Sequence, residues 1–245
     1  MVRLLNRPDS GTPLEGSIGV TRGVPASDGK SPRARGDSSI GGKHMFIGST
    51  NDHSKPEHTG QDGAIVLASG GIDSTACIAF FLSRKINVSA VFVDYGQISA
   101  KRERSAVSRI CSFYGVPVRG LNCKGLGPWS MGFIPGRNAL LLLSGMIEFP
   151  SDSGLLAIGI HSGTNYVDCS RSFVRQMQRI FDLYTDGRIH ISAPFLRWTK
   201  RQIWDYCIVR GVPTHLTYSC EMGRKQPCGM CPSCRDLEAL RAIGA

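Results

Sequence analysis

The feature of this chain that most constrains its fold is a double glycine set directly between an apolar strand and a helix. Residues 64–68 form an apolar run that predicts a buried strand, and residues 69–75 read Ser-Gly-Gly-Ile-Asp-Ser-Thr. Apolar residues then recur at helical spacing over 76–82, which indicates a helix. A strand that turns through glycines into a helix is typical of an α/β fold.

The same residues, 69–75, predict a phosphate-binding loop, which we call the glycine loop. Glycines let the backbone approach a ligand closely, and the first N–H groups of a helix carry partial positive charge. The chain has no Gly-x-x-x-x-Gly-Lys-Ser/Thr motif, and the loop is not Gly-x-Gly-x-x-Gly, so this is neither a Walker A loop nor a dinucleotide fingerprint. A structural alternative stays open, because Asp73 and Ser74 are also good helix N-caps. Asp73 could equally hold Mg²⁺ on bound phosphates.

Four cysteines near the C-terminus predict a metal site. Cys220, Cys228, Cys231 and Cys234 fall within fifteen residues, with glycine and proline between them. Thiolates separated by two residues can ligate one ion, at roughly 2.3 Å for zinc. Four sulfur ligands with no open position describe a structural Zn²⁺ site. An iron–sulfur cluster is the stronger alternative, and disulfides, which need an oxidising compartment, are the weaker one.

The rest of the chain alternates strand and helix, as a doubly wound α/β domain does. We predict strands at 64–68, 88–93, 117–121, 155–160 and 189–192, and helices at 74–84, 99–114, 137–148, 171–184 and 200–209. The strands are near-continuous apolar runs, as expected where helices cover both faces of a sheet. Ligands bind beyond the carboxyl ends of such strands. Ser69, Asp94 and His161 each follow a strand, so all three are predicted at that edge.

Composition divides the chain into three segments. Residues 1–60 are rich in Gly, Ser and Pro without apolar periodicity, which predicts a disordered extension. Residues 61–215 are predicted to form the α/β domain, and 216–245 the zinc module with a C-terminal helix. There is no signal-peptide core and no run of eighteen apolar residues, so we expect no membrane segment. The cysteines outside the cluster fit a reducing compartment, which makes the cytoplasm the expected location.

The formal net charge of +10 raises the question of a nucleic-acid partner. Positive charge also suits a pocket for ATP and a carboxylate. The basic residues are spread through the chain, and no basic stripe is interleaved with aromatics. We therefore do not expect nucleic acid to be the main partner.

Further short motifs complete a pattern that covers roughly residues 64–240. They are Val-Asp-Tyr-Gly-Gln at 93–97 with Glu103, Phe-Ile-Pro-Gly-Arg-Asn at 133–138, Tyr-Val-Asp-Cys at 166–169, Ala-Pro-Phe at 193–195, Thr-Lys at 199–200, Gly-Val-Pro at 211–213 and Leu-Thr-Tyr-Ser-Cys at 216–220. The glycine loop resembles the pyrophosphate-binding loop of ATP-pyrophosphatase enzymes. In number, order and spacing, the motifs together resemble the 7-cyano-7-deazaguanine synthases, which make the nitrile precursor of queuosine and archaeosine.

This resemblance implies a fold and a reaction. The fold is a Rossmann-like parallel sheet with helices on both faces and a small C-terminal zinc module built on four cysteines. The reaction is an ATP-dependent ligation in which 7-carboxy-7-deazaguanine and ammonia give 7-cyano-7-deazaguanine through adenylated intermediates, with release of AMP. Magnesium is required. The implied partners are the small-molecule carboxylate and ammonia, with no membrane, and a homodimer is compatible with the sequence.

The resemblance also implies site residues. The predicted ATP site comprises Ala68, Ser69, Gly70, Gly71, Ile72, Asp73, Ser74, Thr75 and Asp94. The predicted catalytic residues are Asp73, Ser74, Arg137 and Lys200. The predicted substrate-binding residues are Tyr95, Gln97, Asn138, His161, Asp168 and Cys169. The predicted zinc ligands are Cys220, Cys228, Cys231 and Cys234.

The local sequence context bears on several of these residues. Arg137 opens a helix, where a cation opposes the helix dipole but is well placed for an anion. Lys200, beside the N-cap Thr199, has a similar but weaker placement and could be a solvated surface lysine. Asp94 could be a turn aspartate, and His161 a satisfied polar residue. Cys169 needs no nucleophilic role in the implied mechanism, so a structural or substrate-lining thiol is favoured.

The chain departs from the family pattern at residues 161–171. Family members usually carry Tyr-Pro-Asp-Cys-Arg-Pro, whereas Val167 stands here for the first proline, the arginine is displaced, and the preceding loop is shorter. Alternatives therefore stay open. One is a paralogue that activates a deazaguanine carboxylate and amidates a protein or nucleic-acid acceptor. Another is an RNA base thiolase with an iron–sulfur cluster, and a third is a non-enzymatic zinc module that binds nucleic acid.

Overall fold

Five parallel strands form a single sheet, which confirms the predicted α/β class. In the computed structural model the strands are β1 (Ala64–Leu67), β2 (Val88–Asp94), β3 (Val118–Asn122), β4 (Gly154–Ile158) and β5 (Ile189–Ser192). Their order is β3-β2-β1-β4-β5, and every neighbouring pair is parallel. The chain thus moves outward from β1 to β3 and then crosses back to β4 on the other side of β1. This reversal creates a crevice at the carboxyl ends of the strands, where doubly wound folds bind ligands.

The structure describes residues 63–242 except 124, 128, 130 and 131. The predicted extension at 1–60 lies outside these residues. The helices are α1 (Ile72–Leu82), α2 (Ala100–Tyr114), α3 (Arg137–Ile147), α4 (Arg171–Thr185), α5 (Lys200–Val209) and α6 (Pro232–Ala242), with 3-10 turns at Val167–Cys169 and Thr214–Leu216. The predicted strands and helices are all present, with ends shifted by a few residues.

Alternate residues of β1 face two separate apolar clusters, so the sheet is covered on both sides. Val66 packs in one cluster with Phe81 of α1 and Ile203 of α5. Leu67 packs in the other with Leu142 of α3 and Phe181 of α4. Helices on both faces explain why β1, β2 and β4 are almost continuously apolar rather than alternating.

Helix α1 begins at Ile72, two residues earlier than predicted. Its N-cap is Gly71, which makes no side-chain cap bond, so Asp73 and Ser74 lie inside the first turn and cap nothing. The N–H groups of a first helical turn have no intrahelical partner. The start of α1 therefore offers free donors at the carboxyl end of β1.

Candidate functional site

The glycine loop is held in shape by its own hydroxyl groups. The Ser74 hydroxyl accepts the backbone N–H of Ser69 at 3.2 Å and donates to the Gly71 carbonyl at 3.2 Å. The Thr75 hydroxyl donates to the same carbonyl at 2.8 Å. Ser69 and Ser74 are also linked by their hydroxyl oxygens, 3.2 Å apart. These bonds close the loop into a concave turn whose first-turn N–H groups remain available to an anion.

Two glycines allow other segments to approach this loop. Gly70 has φ +75°, and a Cβ there would lie 2.9 Å from both the Ala106 Cβ and the Glu103 carbonyl oxygen of α2. Gly159 follows β4, and a Cβ there would lie 2.8 Å from the Ser74 nitrogen. The loop is thus clamped between α2 and the end of β4, at the reversal point of the sheet.

Three polar side chains from distant segments meet beside the loop. The Lys200 ammonium is bonded to the Asp73 Oδ2 atom, and the His161 Nε2 atom lies 3.9 Å from the same oxygen. The other oxygen of Asp73, Oδ1, is buried and has no hydrogen-bond partner within the described residues. Burial lowers the pKa of His161, partly opposed by the charge of Asp73. His161 lies at the strand edge where it was predicted, and Lys200, predicted as a catalytic residue, lies beside it next to the loop.

Aromatic side chains border the other half of the cleft. Tyr95, just after β2, is buried, and its carbonyl accepts the Trp129 indole N–H at 2.9 Å. The two rings lie edge to face with centroids 6.5 Å apart. Tyr166 lies against Phe133 with ring centroids 5.1 Å apart. Such rings suit a flat heterocycle, and Arg137 also lines this half.

Gln97 and the neighbouring Glu103 form a closed internal network. The side-chain oxygen Oε1 of Gln97 accepts the Tyr95 backbone N–H at 2.9 Å, and its side-chain nitrogen Nε2 donates to Glu103 at 2.8 Å. Glu103 also accepts the Ser99 hydroxyl at 2.6 Å, and burial raises the pKa of Glu103. Both ends of the Gln97 amide are therefore engaged within the protein, although Gln97 lines the cleft.

The divergent segment 161–171 brings the remaining predicted substrate residues together. Asn138, at the start of α3, is buried and donates to the Asp168 carbonyl at 3.2 Å. Asp168 is only 3% exposed, and its Oδ2 atom has no hydrogen-bond partner within the described residues. Burial raises the pKa of the Cys169 thiol, which disfavours a thiolate nucleophile. Asn138 and Cys169 line the cleft, whereas Asp168 is not among its lining residues.

Asp94 lies at the end of β2 but outside the cleft lining. Its carboxylate pairs with Arg104 at 3.1 Å and accepts the Gly96 backbone N–H at 3.2 Å. Arg104 also donates to Asn122 at the end of β3. In this structure Asp94 therefore fixes the turn after β2, and its predicted contact with ATP stays a prediction.

The four cysteines of the C-terminal segment form one cluster. Their sulfur atoms all lie within 4.8 Å of one another, and the Cys228 and Cys234 sulfurs are 3.9 Å apart. A tetrahedral zinc ion with bonds of roughly 2.3 Å would separate its sulfurs by about 3.8 Å. Backbone N–H groups lower the pKa of Cys228 to about 6. Burial and the neighbouring sulfurs raise the pKa of Cys234 to about 12. The donor set and spacing fit a structural metal ion, with no open position.

The segment around the cysteine cluster also borders the cleft. The Tyr218 backbone N–H donates to the Gly70 carbonyl at 2.8 Å. Glu221 accepts the Gly132 backbone N–H at 2.9 Å and the Ser233 hydroxyl at 2.8 Å. The cysteine cluster is thereby connected to the glycine loop on one side and to the loop before α3 on the other.

One cleft of about 340 Å³ joins these features, within the size range of small-molecule sites. Of the predicted ATP residues, Ala68, Ser69, Gly71, Ile72, Asp73 and Ser74 line it, whereas Gly70, Thr75 and Asp94 support its walls. Sequence reasoning did not assign Glu103, Trp129 or Tyr166 to the site. Glu103 and Tyr166 lie within the quoted motifs, whereas Trp129 is an isolated aromatic in a Gly-Pro-rich stretch with no periodic signal.

Within the described residues, the helices are all too short or too polar to cross a membrane.

Comparisons with known proteins identify similar sequences and structures. The family described as "Queuosine biosynthesis protein QueC" matches residues 63–132 and 127–243. The 7-cyano-7-deazaguanine synthase of Acetivibrio thermocellus is 28% identical over 198 residues, which cover 70% of this chain and 89% of that protein. The synthase of Prochlorococcus marinus strain NATL2A is 30% identical over 223 residues, covering 77% and 95%. Among solved structures, the U34-tRNA thiolase NcsA from Methanococcus maripaludis matches with a TM-score of 0.45 and 18% identity, over 75% of this chain and 66% of that one.

Proposed function

Because the chain belongs to the family of the queuosine biosynthesis protein QueC, we propose that it converts 7-carboxy-7-deazaguanine and ammonia to 7-cyano-7-deazaguanine, using ATP and releasing AMP. Curated relatives across most of its length carry the name of this activity. One observation supports the assignment to this chain most strongly. The same cleft holds an anion-binding loop at Ser69–Ser74 and, across from it, an aromatic half that contains Arg137.

In the first proposed step, a carboxylate oxygen of the substrate attacks the α-phosphorus of ATP. The bond between that phosphorus and the bridging oxygen to the β-phosphate breaks, and pyrophosphate leaves. The first-turn N–H groups of α1 bind the departing phosphates, and Lys200 balances their charge. Arg137 binds and orients the substrate carboxylate. Magnesium, entering with ATP, supplies further neutralisation of the phosphate oxygens.

Two substitutions at carbon follow. Ammonia attacks the acyl carbon, loses a proton and expels AMP, which gives the amide. The amide oxygen then attacks a second ATP at its α-phosphorus and pyrophosphate leaves. Loss of the nitrogen protons with departure of AMP leaves the nitrile. Each stage needs a site closed to water around the activated carbon, and the aromatic half of the cleft fits that requirement.

Zinc is the metal we propose for the cysteine cluster, held by Cys220, Cys228, Cys231 and Cys234. It supplies no chemistry in the reaction and stabilises the segment that borders the glycine loop. Metal analysis separates this proposal from an iron–sulfur cluster, because it reports zinc or iron directly. The absorption spectrum is a second test, since a zinc protein is colourless and an iron–sulfur protein absorbs visible light.

The test is mass spectrometry of the protein incubated with ATP, Mg²⁺, ammonium and 7-carboxy-7-deazaguanine. We expect the mass of the nitrile together with AMP and pyrophosphate. Ser74→Ala should lower kcat/KM by about a hundredfold, since it removes the hydroxyl that closes the loop. Ser83→Ala, at the other end of α1, where the hydroxyl donates to the Phe80 carbonyl and accepts from the Arg84 side chain, is the matched control and should change kcat/KM less than about twofold.

Three outcomes would contradict the proposal in different ways. Release of ADP instead of AMP excludes adenylation. An unchanged rate for Ser74→Ala excludes the loop assignment. Formation of AMP with the amide but no nitrile favours a paralogue that amidates another acceptor, the alternative suggested by the divergent segment 161–171.

A further inference from the structure

The imidazole of His161 is fixed by a hydrogen bond that identifies its tautomer. Its Nδ1 atom accepts the backbone N–H of Gly163 at 3.0 Å. A ring nitrogen that accepts a hydrogen bond carries no proton, so the single proton of the neutral ring lies on Nε2. Gly163 makes this bond sterically possible, since a Cβ there would lie only 2.9 Å from Nδ1.

The Nε2–H group faces the cleft without a hydrogen-bond acceptor among the described residues. The Asp73 Oδ2 atom lies 3.9 Å from Nε2, which is too far for a hydrogen bond. That oxygen is already bonded by the Lys200 ammonium. His161 as a whole is only 7% exposed and lines the cleft beside the glycine loop. A donor that lines a ligand site and is left unpaired by the protein is expected to be satisfied by the ligand.

The charged groups that face His161 are Asp73, Lys200 and Asp236. The negative charge of Asp73 favours a protonated imidazole, but Lys200 pairs with Asp73 and its positive charge disfavours protonation. Burial acts in the same direction as Lys200. Burial has the largest effect on the pKa of His161 and lowers it, while Asp73 and Asp236 oppose that change. The hydrogen bond accepted by Nδ1 leaves the ring neutral in this structure.

We propose that His161 is a fixed, neutral hydrogen-bond donor that contacts a phosphate oxygen of bound ATP through Nε2–H, and that it is not a general base. The inference rests on the proposed function, because it takes the anion in the glycine loop to be ATP. It assigns the role of a catalytic residue, since negative charge rises on the phosphoryl oxygens as pyrophosphate departs. A donor already oriented toward them stabilises that charge without reorganisation.

Two substitutions separate the two nitrogens of the ring. In His161→Asn the side-chain oxygen can accept the Gly163 N–H in place of Nδ1, but nothing replaces Nε2–H. In His161→Gln the amide nitrogen reaches the position of Nε2, but the acceptor for Gly163 is lost. The proposal predicts that His161→Asn lowers kcat for AMP release by about a hundredfold. His161→Gln should stay within about tenfold of the unsubstituted protein.

The opposite order, with Asn active and Gln inactive, would show that the ring serves only to anchor Gly163. Equal loss in both variants, together with an acidic limb in the pH profile of kcat that disappears with the ring, would show a general base. Either result overturns the inference. A protein that releases no AMP at all with 7-carboxy-7-deazaguanine would instead contradict the proposed function.

Nitrogen-15 NMR of the zinc-loaded protein tests the tautomer independently of turnover. The His161 ring is assigned by the signal missing from His161→Gln. We expect a protonated Nε2 and an unprotonated Nδ1 at neutral pH, and a shifted Nε2–H signal when ATP and Mg²⁺ are added. A protonated Nδ1, or an Nε2–H signal that ATP leaves unchanged, would overturn the inference even if the nitrile is formed.

Discussion

Among single residues, the site depends on positions that lack a side chain. Gly70 lies in the left-handed region at φ +75°, and α2 occupies the space into which a Cβ would point. Its carbonyl also accepts the N–H of Tyr218, so a shift of Gly70 moves both the glycine loop and the segment leading to the cysteine cluster. Gly115, the C-cap of α2, has a similar φ of +65° but no atom within 4 Å of its Cβ position. A substitution at Gly115 therefore tests backbone strain alone, whereas the same substitution at Gly70 tests backbone strain together with steric conflict.

We expect Gly115→Ala to lower the free energy of unfolding by about 1 kcal/mol, the cost of the left-handed conformation alone. Gly70→Ala should lower it by about 2–4 kcal/mol, because overpacking against α2 adds to that cost. Chemical denaturation of both variants measures the difference. ATP binding by calorimetry should weaken in Gly70→Ala and remain unchanged in Gly115→Ala. Equal destabilisation of the two variants would contradict the close approach of α2 to the loop.

Among the helices and strands, the start of α5 positions the Lys200 ammonium. Thr199 is the N-cap of α5 and forms a capping box: its hydroxyl accepts the Gln202 N–H at 3.2 Å, and its own N–H donates to the Gln202 side chain at 2.8 Å. Lys200 is the first helical residue after this cap. A cation at the start of a helix opposes the helix dipole, so its bond to Asp73 compensates an unfavourable placement. The Thr-x-x-Gln capping box is a local sequence signal. It thus fixes the position of Lys200, which bonds Asp73, 127 positions earlier in the chain.

Thr199→Ala should lower the free energy of unfolding by about 1 kcal/mol, the usual cost of losing a cap. It should also raise KM for ATP several-fold, because the first turn of α5 frays and Lys200 loses its fixed position. Thr199→Ser keeps the capping hydroxyl and is the matched control, with both quantities near those of the unsubstituted protein. Steady-state kinetics and thermal denaturation measure the two effects. A loss of stability with no change in KM would separate Lys200 from ATP binding.

In the molecule as a whole, the cysteine cluster and the nucleotide site are parts of one structure. Tyr218 bonds the glycine loop, and Glu221 bonds Gly132 in the loop that precedes α3. The helix that follows the cluster, α6, contributes Leu237 and Leu240 to the lining of the cleft. A metal ion in the cluster would therefore order a wall of the site while lying outside the chemistry.

Removing the metal with a chelator should lower both thermal stability and ATP affinity. We expect the cluster to lose its structure first. The 218–222 segment then detaches from Gly70 and Gly132, and the cleft opens to water. Differential scanning calorimetry and ATP titration before and after chelation measure the two changes, and re-addition of Zn²⁺ should restore both. Glu221→Gln offers a milder test, since it keeps the metal ligands and weakens only the bonds made by the Glu221 carboxylate. Unchanged ATP affinity in the metal-free protein would show that the cluster and the site are independent.

Local sequence patterns were enough to predict the elements of this fold. Hydrophobic periodicity is a property of neighbouring residues, and it predicted the strands and helices around the sheet. The turn through Gly70 and Gly71 and the position of the cysteines could also be read from short motifs. The bounds shifted by a few residues, as for α1, which begins at Ile72 because Gly71 rather than Asp73 is its N-cap.

The pairing of the polar residues, in contrast, depends on the tertiary fold. Nothing in the local pattern shows that Lys200 bonds Asp73, that Gln97 is occupied by Glu103, or that Asp94 turns toward Arg104 and away from the cleft. The strand order β3-β2-β1-β4-β5 brings together side chains that lie far apart along the chain, and only this arrangement decides which of them become partners. The state of His161 was fixed in the same way, by a single N–H from Gly163 that no spacing rule could reveal.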